Sequence, residues 1–266
     1  MITIILGSFL FNGGTILNKN KIIKFLFILF VIVGLLISAT PYVINNFIEP
    51  YHMNRIHDEA NSISKEKIKE NQEKIKAMQQ VADDNISSTN NNDIADTNNI
   101  DYQENTEIYD SISYDPSSIQ SLSRIPKFQE VNMNFLVGYI QIPEVNLELP
   151  VLEGLTNENL NVATGTMKPA QEMGKRNYAI AGHHMPNENL LFSPLMRVKK
   201  GNLAYLTDKD KTYVYKVTKT EVLSINRGDV IEDSEGDKII TLITCTDIQG
   251  TARWMVRGKL IKTINN

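Results

Sequence analysis

The sequence predicts a mostly β domain, a sandwich or barrel, carried behind one membrane-spanning helix. Three observations lead there. The C-terminal half is built of short β-branched and alternating runs separated by turn residues. Residues 25–48 carry no charge at all. The stretch between these two regions is polar, with apolar residues too sparse for a core.

The apolar stretch is densest over Phe25-Leu-Phe-Ile-Leu-Phe-Val-Ile-Val-Gly-Leu-Leu-Ile37. A bilayer core needs about 20 such residues in a helix, the single-segment way to satisfy a backbone without water. Lys19, Lys21 and Lys24 precede the span, and Glu49 is the first charge after it. The positive-inside rule then puts residues 1–21 in the cytoplasm, the anchor at 22–48 and everything later outside. The competing reading is a cleaved signal peptide, with small residues in Leu36-Ile-Ser-Ala-Thr40, but its apolar region would be only about 7–15 residues. Residues 1–17 are apolar without flanking charges and carry no assignment.

Residues 49–127 read as a helical stalk followed by a disordered linker. Ile63, Ile68, Ile75 and Met78 make a weak stripe among lysines and glutamates, the pattern of a solvated helix or short coiled coil. Over residues 82–123, runs such as Asp83-Asp-Asn-Ile-Ser-Ser-Thr-Asn-Asn-Asn-Asp93 bury too little to offset backbone ordering, so a disordered spacer is expected.

The folded domain is expected over residues 128–266, a sensible size for one domain. Strands are predicted at Leu136–Ile142, Leu147–Leu152, Asn177–Ala181, Asn202–Leu206, Thr212–Val217, Lys238–Cys245 and Arg253–Val256. Asn226-Arg-Gly228, Glu235-Gly236 and Gln249-Gly250 supply turns. Short helices are expected near Asn157–Val162 and Asn189–Arg197.

A net charge of −4 argues against a general nucleic-acid binder. The chain has one cysteine, Cys245, so it makes no internal disulfide; in a surface protein such a residue is a dimer bridge or a reactive thiol. Alternation puts Thr241, Ile243 and Cys245 on one strand face and Ile240, Leu242 and Thr244 on the other. The bland reading of Cys245 is a small buried hydrophobe. Arg253 follows eight residues later, past Gly250. If the two strands form a hairpin with these residues opposite, both side chains leave the same face, and the arginine favours a thiolate and holds an oxyanion. Its bland reading is a solvated strand edge, and Arg257 shares its parity. The domain holds two histidines, His183 and His184, after Tyr178-Ala-Ile-Ala-Gly182. Either is a surface or core residue by default. Together, a thiol nucleophile, a histidine to move its proton and an arginine to hold developing charge make an acyl-transfer site. Cysteine with one or two histidines falls short of a closed zinc shell.

Thr241-Leu-Ile-Thr-Cys245 resembles the nucleophile segment of class A sortases. Ala181-Gly-His183 is similar to their histidine segment, and Arg253 stands where their arginine follows. The resemblance runs from Gly138-Tyr-Ile-Gln-Ile-Pro143 through Gly165-Thr-Met167, Leu191-Phe-Ser-Pro194 and Tyr205-Leu-Thr-Asp208 to Gly258-Lys-Leu260. It implies a closed eight-stranded β-barrel with short helices. It also implies that Cys245, His183 and Arg253 cleave an LPXTG-like sorting signal on secreted proteins between Thr and Gly, and pass the acyl group to a cell-wall precursor amine. Ala181, Thr241 and Ile243 would line the groove, with Thr244 beside the nucleophile but facing away. Some members bind calcium before the histidine strand. Here Met167-Lys-Pro-Ala-Gln-Glu-Met-Gly-Lys-Arg176 holds one acid, so no cofactor and calcium-independent activity are expected.

Three other readings compete. One is a surface cysteine protease or hydrolase with the same triad. Another is a pilin-polymerising sortase; such enzymes often carry a lid over the site and a second span after the domain, and neither is legible here. The third is a wall-binding module with an inert, buried Cys245.

Overall fold

The computed structural model describes residues 19–88, 112–120, 131–169, 171–233 and 236–266. The chain divides into two units, residues 1–46 and 47–266. In the first, α1 (Lys19–Val43) is a helix long and apolar enough to cross a membrane. Phe27, Phe30, Leu36 and Ile37 are among its exposed side chains. The hydroxyls of Ser38 and Thr40 donate to the carbonyls of Leu35 and Leu36, both at 2.9 Å, so these polar groups are satisfied inside the helix itself.

The second unit begins with two helices, α2 (Glu49–Ser62) and α3 (Lys65–Ser88). Eight strands follow: β1 (Leu136–Ile142), β2 (Leu147–Leu152), β3 (Thr164–Thr166), β4 (Arg176–Ala181), β5 (Leu203–Thr207), β6 (Lys211–Leu223), β7 (Lys238–Cys245) and β8 (Arg253–Asn265). They close into a barrel in the order β1-β2-β3-β4-β7-β8-β6-β5. Between β2 and β3 sits the single turn α4 (Asn157–Leu160), capped by the Thr156 hydroxyl. Pairing is antiparallel except at β2–β3 and β4–β7.

Two departures from the sequence reading have local causes. β3 was not anticipated because Thr164-Gly-Thr166 has no apolar alternation. Its place is fixed by close approach: a Cβ on Gly165 would stand 2.1 Å from the Gly154 carbonyl oxygen. β6 and β8 run well past their apolar parts because they pair with each other from Lys211↔Asn265 to Leu223↔Arg253. Their charged tips lower intrinsic strand preference, and ladder pairing overrides it.

Alternation sorts side chains between two environments. Tyr178, Ile180, Ile240, Leu242 and Val256 fill the barrel with Ile140, Ile142 and Tyr215. From the same strands Ala179, Ala181, Ile243, Cys245 and Met255 point the other way, into a separate apolar cluster outside the barrel.

The predicted solvated stalk is not free-standing. Ile56, Ala60 and Ile68 pack onto Leu136, Tyr139 and Leu152 of the barrel. The Asn71 amide, fully buried, donates to the carbonyls of Met133 and Leu136, both at 3.0 Å, and Gln72 donates to Val137 O at 2.8 Å. Lys209 Nζ donates to Asn61 O at 2.9 Å at the C-terminus of α2, where a cation is favoured. Helix α3 also extends through Ser88, into residues read from the sequence as spacer. The sparse apolar residues are too few for a core of their own but enough to cover a strand face. Asn71→Ala should lower unfolding stability by about 1–3 kcal/mol, the usual penalty for taking a partner from buried polar groups. Urea unfolding of residues 47–266 reads this directly.

Candidate active site

Cys245 is the last residue of β7 and pairs directly with Arg253, the first of β8. The hairpin expected from their spacing is therefore present, with both residues buried on one face. The connecting loop is tied by Thr246 N→Ala252 O at 3.1 Å and Gly250 N→Asp247 O at 3.2 Å. Arg253 Nη1 donates to the carbonyls of Gly250 and Ala252 at 3.1 and 3.3 Å, which holds the guanidinium beside the thiol.

His183 arrives from β4. The β4–β7 ladder continues one step beyond Ala181, through Gly182 N→Ile243 O at 3.1 Å. The Phe192 ring covers Gly182 so closely that a Cβ there would meet it at 2.9 Å. Thr244, on the far side of β7 from Cys245, donates its hydroxyl to Gly182 O at 2.8 Å and so locks the histidine segment to the nucleophile strand. His184 instead forms an isolated bridge with Leu191.

One carbonyl joins the thiol and the imidazole. Ile119 O lies 3.1 Å from His183 Nδ1 and accepts from Cys245 Sγ at 3.4 Å. An accepting carbonyl puts the histidine proton on Nδ1; among the described residues His183 Nε2 is buried without a partner. The Ile119 side chain, 1% exposed, fills the outer apolar cluster between Ala181, Ile243, Met255 and Val230. Its segment is held by Tyr114 OH→Glu153 Oε1 at 2.7 Å and by Asp115 Oδ1, which accepts from Ser117 N at 2.8 Å.

This covering segment corrects the sequence reading on two points. Residues 112–120 were assigned to a disordered spacer, and no lid was legible. The rest of that spacer beyond α3, 89–111 and 121–123, lies outside the described residues. The available signal was Asp115-Pro116-Ser117, a turn signature placed just before an isolated isoleucine.

Burial sets the charge state of the covered pair. It pushes the His183 imidazole down to about 4, against the hydrogen bond to Ile119, which raises it. It also pushes the Cys245 thiol up, with Arg253 pulling it down and Asp247 pushing it further up. Under the cover the pair is therefore thiol and neutral imidazole at neutral pH.

Of the expected groove residues, Ala181 and Ile243 stand in the apolar cluster around Ile119. Thr241 lies on the same face, level with Ala179 of that cluster; it is buried, and its hydroxyl donates to Asn177 Oδ1 at 2.7 Å. Among the described residues no group of three or more His, Cys, Asp or Glu side chains could hold a metal ion.

A family profile described as "Sortase domain" matches residues 140–261. Sortase A of Streptococcus agalactiae serotype III is 42% identical over 159 residues, 57% of this chain and 64% of that protein. Sortase A of Bacillus anthracis is 37% identical over 166 residues, 62% of this chain and 77% of that protein. The crystal structure of sortase C-3 from Streptococcus pneumoniae superposes with a TM-score of 0.52, covering 80% of this chain and 92% of that one at 20% identity, a likeness of fold alone.

Proposed function

The chain belongs to the sortase family, with the class A enzymes, and from that premise we propose that it is a membrane-anchored transpeptidase that attaches secreted proteins to the cell wall. The substrate is an LPXTG-like sorting signal, and the acceptor is an amine of a cell-wall precursor. Helix α1 is the anchor, with the lysines at its N-terminal end on the cytoplasmic side and residues 49–266 outside.

The observation that carries the chemistry is the peptide carbonyl of Ile119, in contact with both His183 and Cys245 while Arg253 stands opposite the thiol. A substrate carbonyl placed there meets the nucleophile, its proton acceptor and a fixed cation at once. Cys245 Sγ attacks the Thr carbonyl carbon as its proton passes to His183. Arg253 holds the developing oxyanion, its own charge being permanent. The Thr–Gly C–N bond breaks, and the leaving amine takes the proton from His183. An incoming amine attacks the thioester, gives up a proton through His183, and Sγ leaves. Ala181 and Ile243 form the apolar part of the groove, and Thr244 supports the site from behind.

The test is a fluorogenic LPXTG-containing peptide with residues 47–266, with and without an oligoglycine amine. Residues 49–88 are kept because α2 and α3 cover the barrel. Cleavage between Thr and Gly with capture by the amine is expected. Cleavage resolved only by water makes the chain a hydrolase. The segment over the site favours one second reading, a pilin-polymerising enzyme; transfer to a protein lysine in preference to oligoglycine would establish it.

A further inference from the structure

Arg257 has the parity of Arg253 but a different environment. Across the sheet β4, β7 and β8 set Ala179, Thr241 and Arg257 in one row, one step below Ala181, Ile243 and Met255. Arg257 Nε donates to Thr241 Oγ1 at 3.3 Å, and that hydroxyl donates onward to Asn177 Oδ1 at 2.7 Å. Both ends of this chain then reach the same place. Arg257 Nη2 donates to the carbonyl of Val230, and Asn177 Nδ2 donates to the carbonyls of Val230 and Glu232, both at 3.0 Å.

Those carbonyls belong to the short turn Gly228–Ile231 and the residue after it, in the connection between β6 and β7. The next residue, Asp233, is held too: its carboxylate pairs with Lys168 and, at 3.5 Å, with Arg176. Val230 is 5% exposed and sits in the cluster that contains Ile119, Ile243 and Met255. The turn is thus a wall of the groove. Its backbone is gripped by a side-chain network whose inner members, Asn177 and Thr241, are 2% and 0% exposed.

We propose that Arg257 and Asn177, bridged by Thr241, are positioning residues that fix Val230 as the end wall of the sorting-signal groove. They set the room for the signal's apolar side chain and take no part in the chemical step. This rests on the transpeptidase reading above for its substrate. The physical case is geometric and energetic. A turn in a connection between strands is held only weakly by its own backbone; here Glu232 N→Asp229 O is long, at 3.3 Å. Charged donors form hydrogen bonds about twice as strong as neutral ones. In a buried network each member orients the next, so the loss of one donor weakens the remaining bonds to the turn. A wall that moves changes the fit of the ground-state complex and the transition state alike, so the effect falls on KM. Arg253, in contrast, faces the reacting carbonyl, and its loss falls on kcat.

The experiment uses the full-length protein in detergent and three variants, Arg257→Met, Arg257→Lys and Thr241→Val. Arg257→Met keeps the apolar stem and removes every donor. Thr241→Val breaks the bridge at nearly constant volume and covers the case in which Arg257→Met does not fold. Two readouts are taken. Amide exchange at residues 229–233 should quicken about 10-fold in Arg257→Met and in Thr241→Val, with β7 and β8 still protected. For the LPXTG peptide, KM should rise about 10-fold with kcat changed less than threefold, and the preference for leucine over valine or phenylalanine at the apolar position should flatten. Arg257→Lys, which retains a charged donor, should recover part of both. A collapse of kcat at unchanged KM would make Arg257 a catalytic residue and overturn the proposal, as would unchanged exchange together with unchanged KM. If the wild type cleaves no sorting peptide while Arg257→Met still loosens the turn, the loop assignment stands and the transpeptidase reading falls.

Discussion

Cys245→Ala abolishes cleavage of the sorting peptide, and Arg253→Ala lowers kcat about 100- to 1000-fold, the range for loss of one oxyanion donor. The two effects have different origins. Without Sγ there is no acyl-enzyme, so neither water nor amine has an intermediate to resolve. Without the guanidinium the intermediate still forms, but its negative oxygen develops in a buried site with its fixed countercharge gone. Arg253→Lys should recover only part of the rate. A lysine ammonium is a point charge, whereas the Arg253 guanidinium is planar and already oriented by the carbonyls of Gly250 and Ala252. If Cys245 were a small core hydrophobe and nothing more, the alanine variant would retain full activity and show only a modest loss of stability. Equal peptide cleavage by both proteins would remove the nucleophile assignment outright.

Ile119→Gly speeds labelling of Cys245 by a soluble thiol reagent about 10- to 100-fold and lowers KM for the sorting peptide, with kcat little changed. In the structure this isoleucine lies in the apolar cluster beside the thiol, and its carbonyl takes up both the thiol and the imidazole. A substrate has to displace it, so measured affinity is reduced by the fraction of molecules that are open. Burying an isoleucine side chain is worth about 1.5–3 kcal/mol, and about 1.4 kcal/mol is a tenfold shift in population, which sets the range. Removing the cover also returns water to His183 and Cys245, relieving the burial that raises the thiol and lowers the imidazole. The labelling rate should therefore gain at neutral pH from thiolate as well as from access. Identical labelling rates in the two proteins would mean that residues 112–120 do not shield the thiol in solution.

Much of the site is written in short-range pattern. Period-two alternation in Lys238–Cys245 places Cys245 on the outward face with Ile243 and opposite Thr244. The eight-residue spacing across Gly250 then brings Arg253 alongside, as the register confirms. His183 and not His184 reaches the shared carbonyl because the ladder extends to Gly182 before the chain turns away. The first two steps are governed by local geometry, so the residues themselves disclose them; the third depends on a parallel ladder between strands far apart in the chain, and only the family resemblance singled out His183 beforehand. Thr241 shows the limit of the method. Parity puts it on the face of Cys245, yet it is sealed beneath Arg257 and the turn at Val230, because parity gives a direction and not what covers it.

What the sequence determined by itself is the long apolar N-terminal segment, most strand positions and the pairing that brings Cys245 to Arg253. Tertiary structure alone decided what lies over them. Ile119 is 64 residues from His183 and 126 from Cys245 in the chain, in a polar stretch that could not form a core of its own. Helices α2 and α3 looked solvated for the same reason. In both cases a few scattered apolar residues are too sparse to fold alone. They are enough to be buried once a finished barrel offers a complementary apolar face, and such a face exists only after residues distant in sequence have come together.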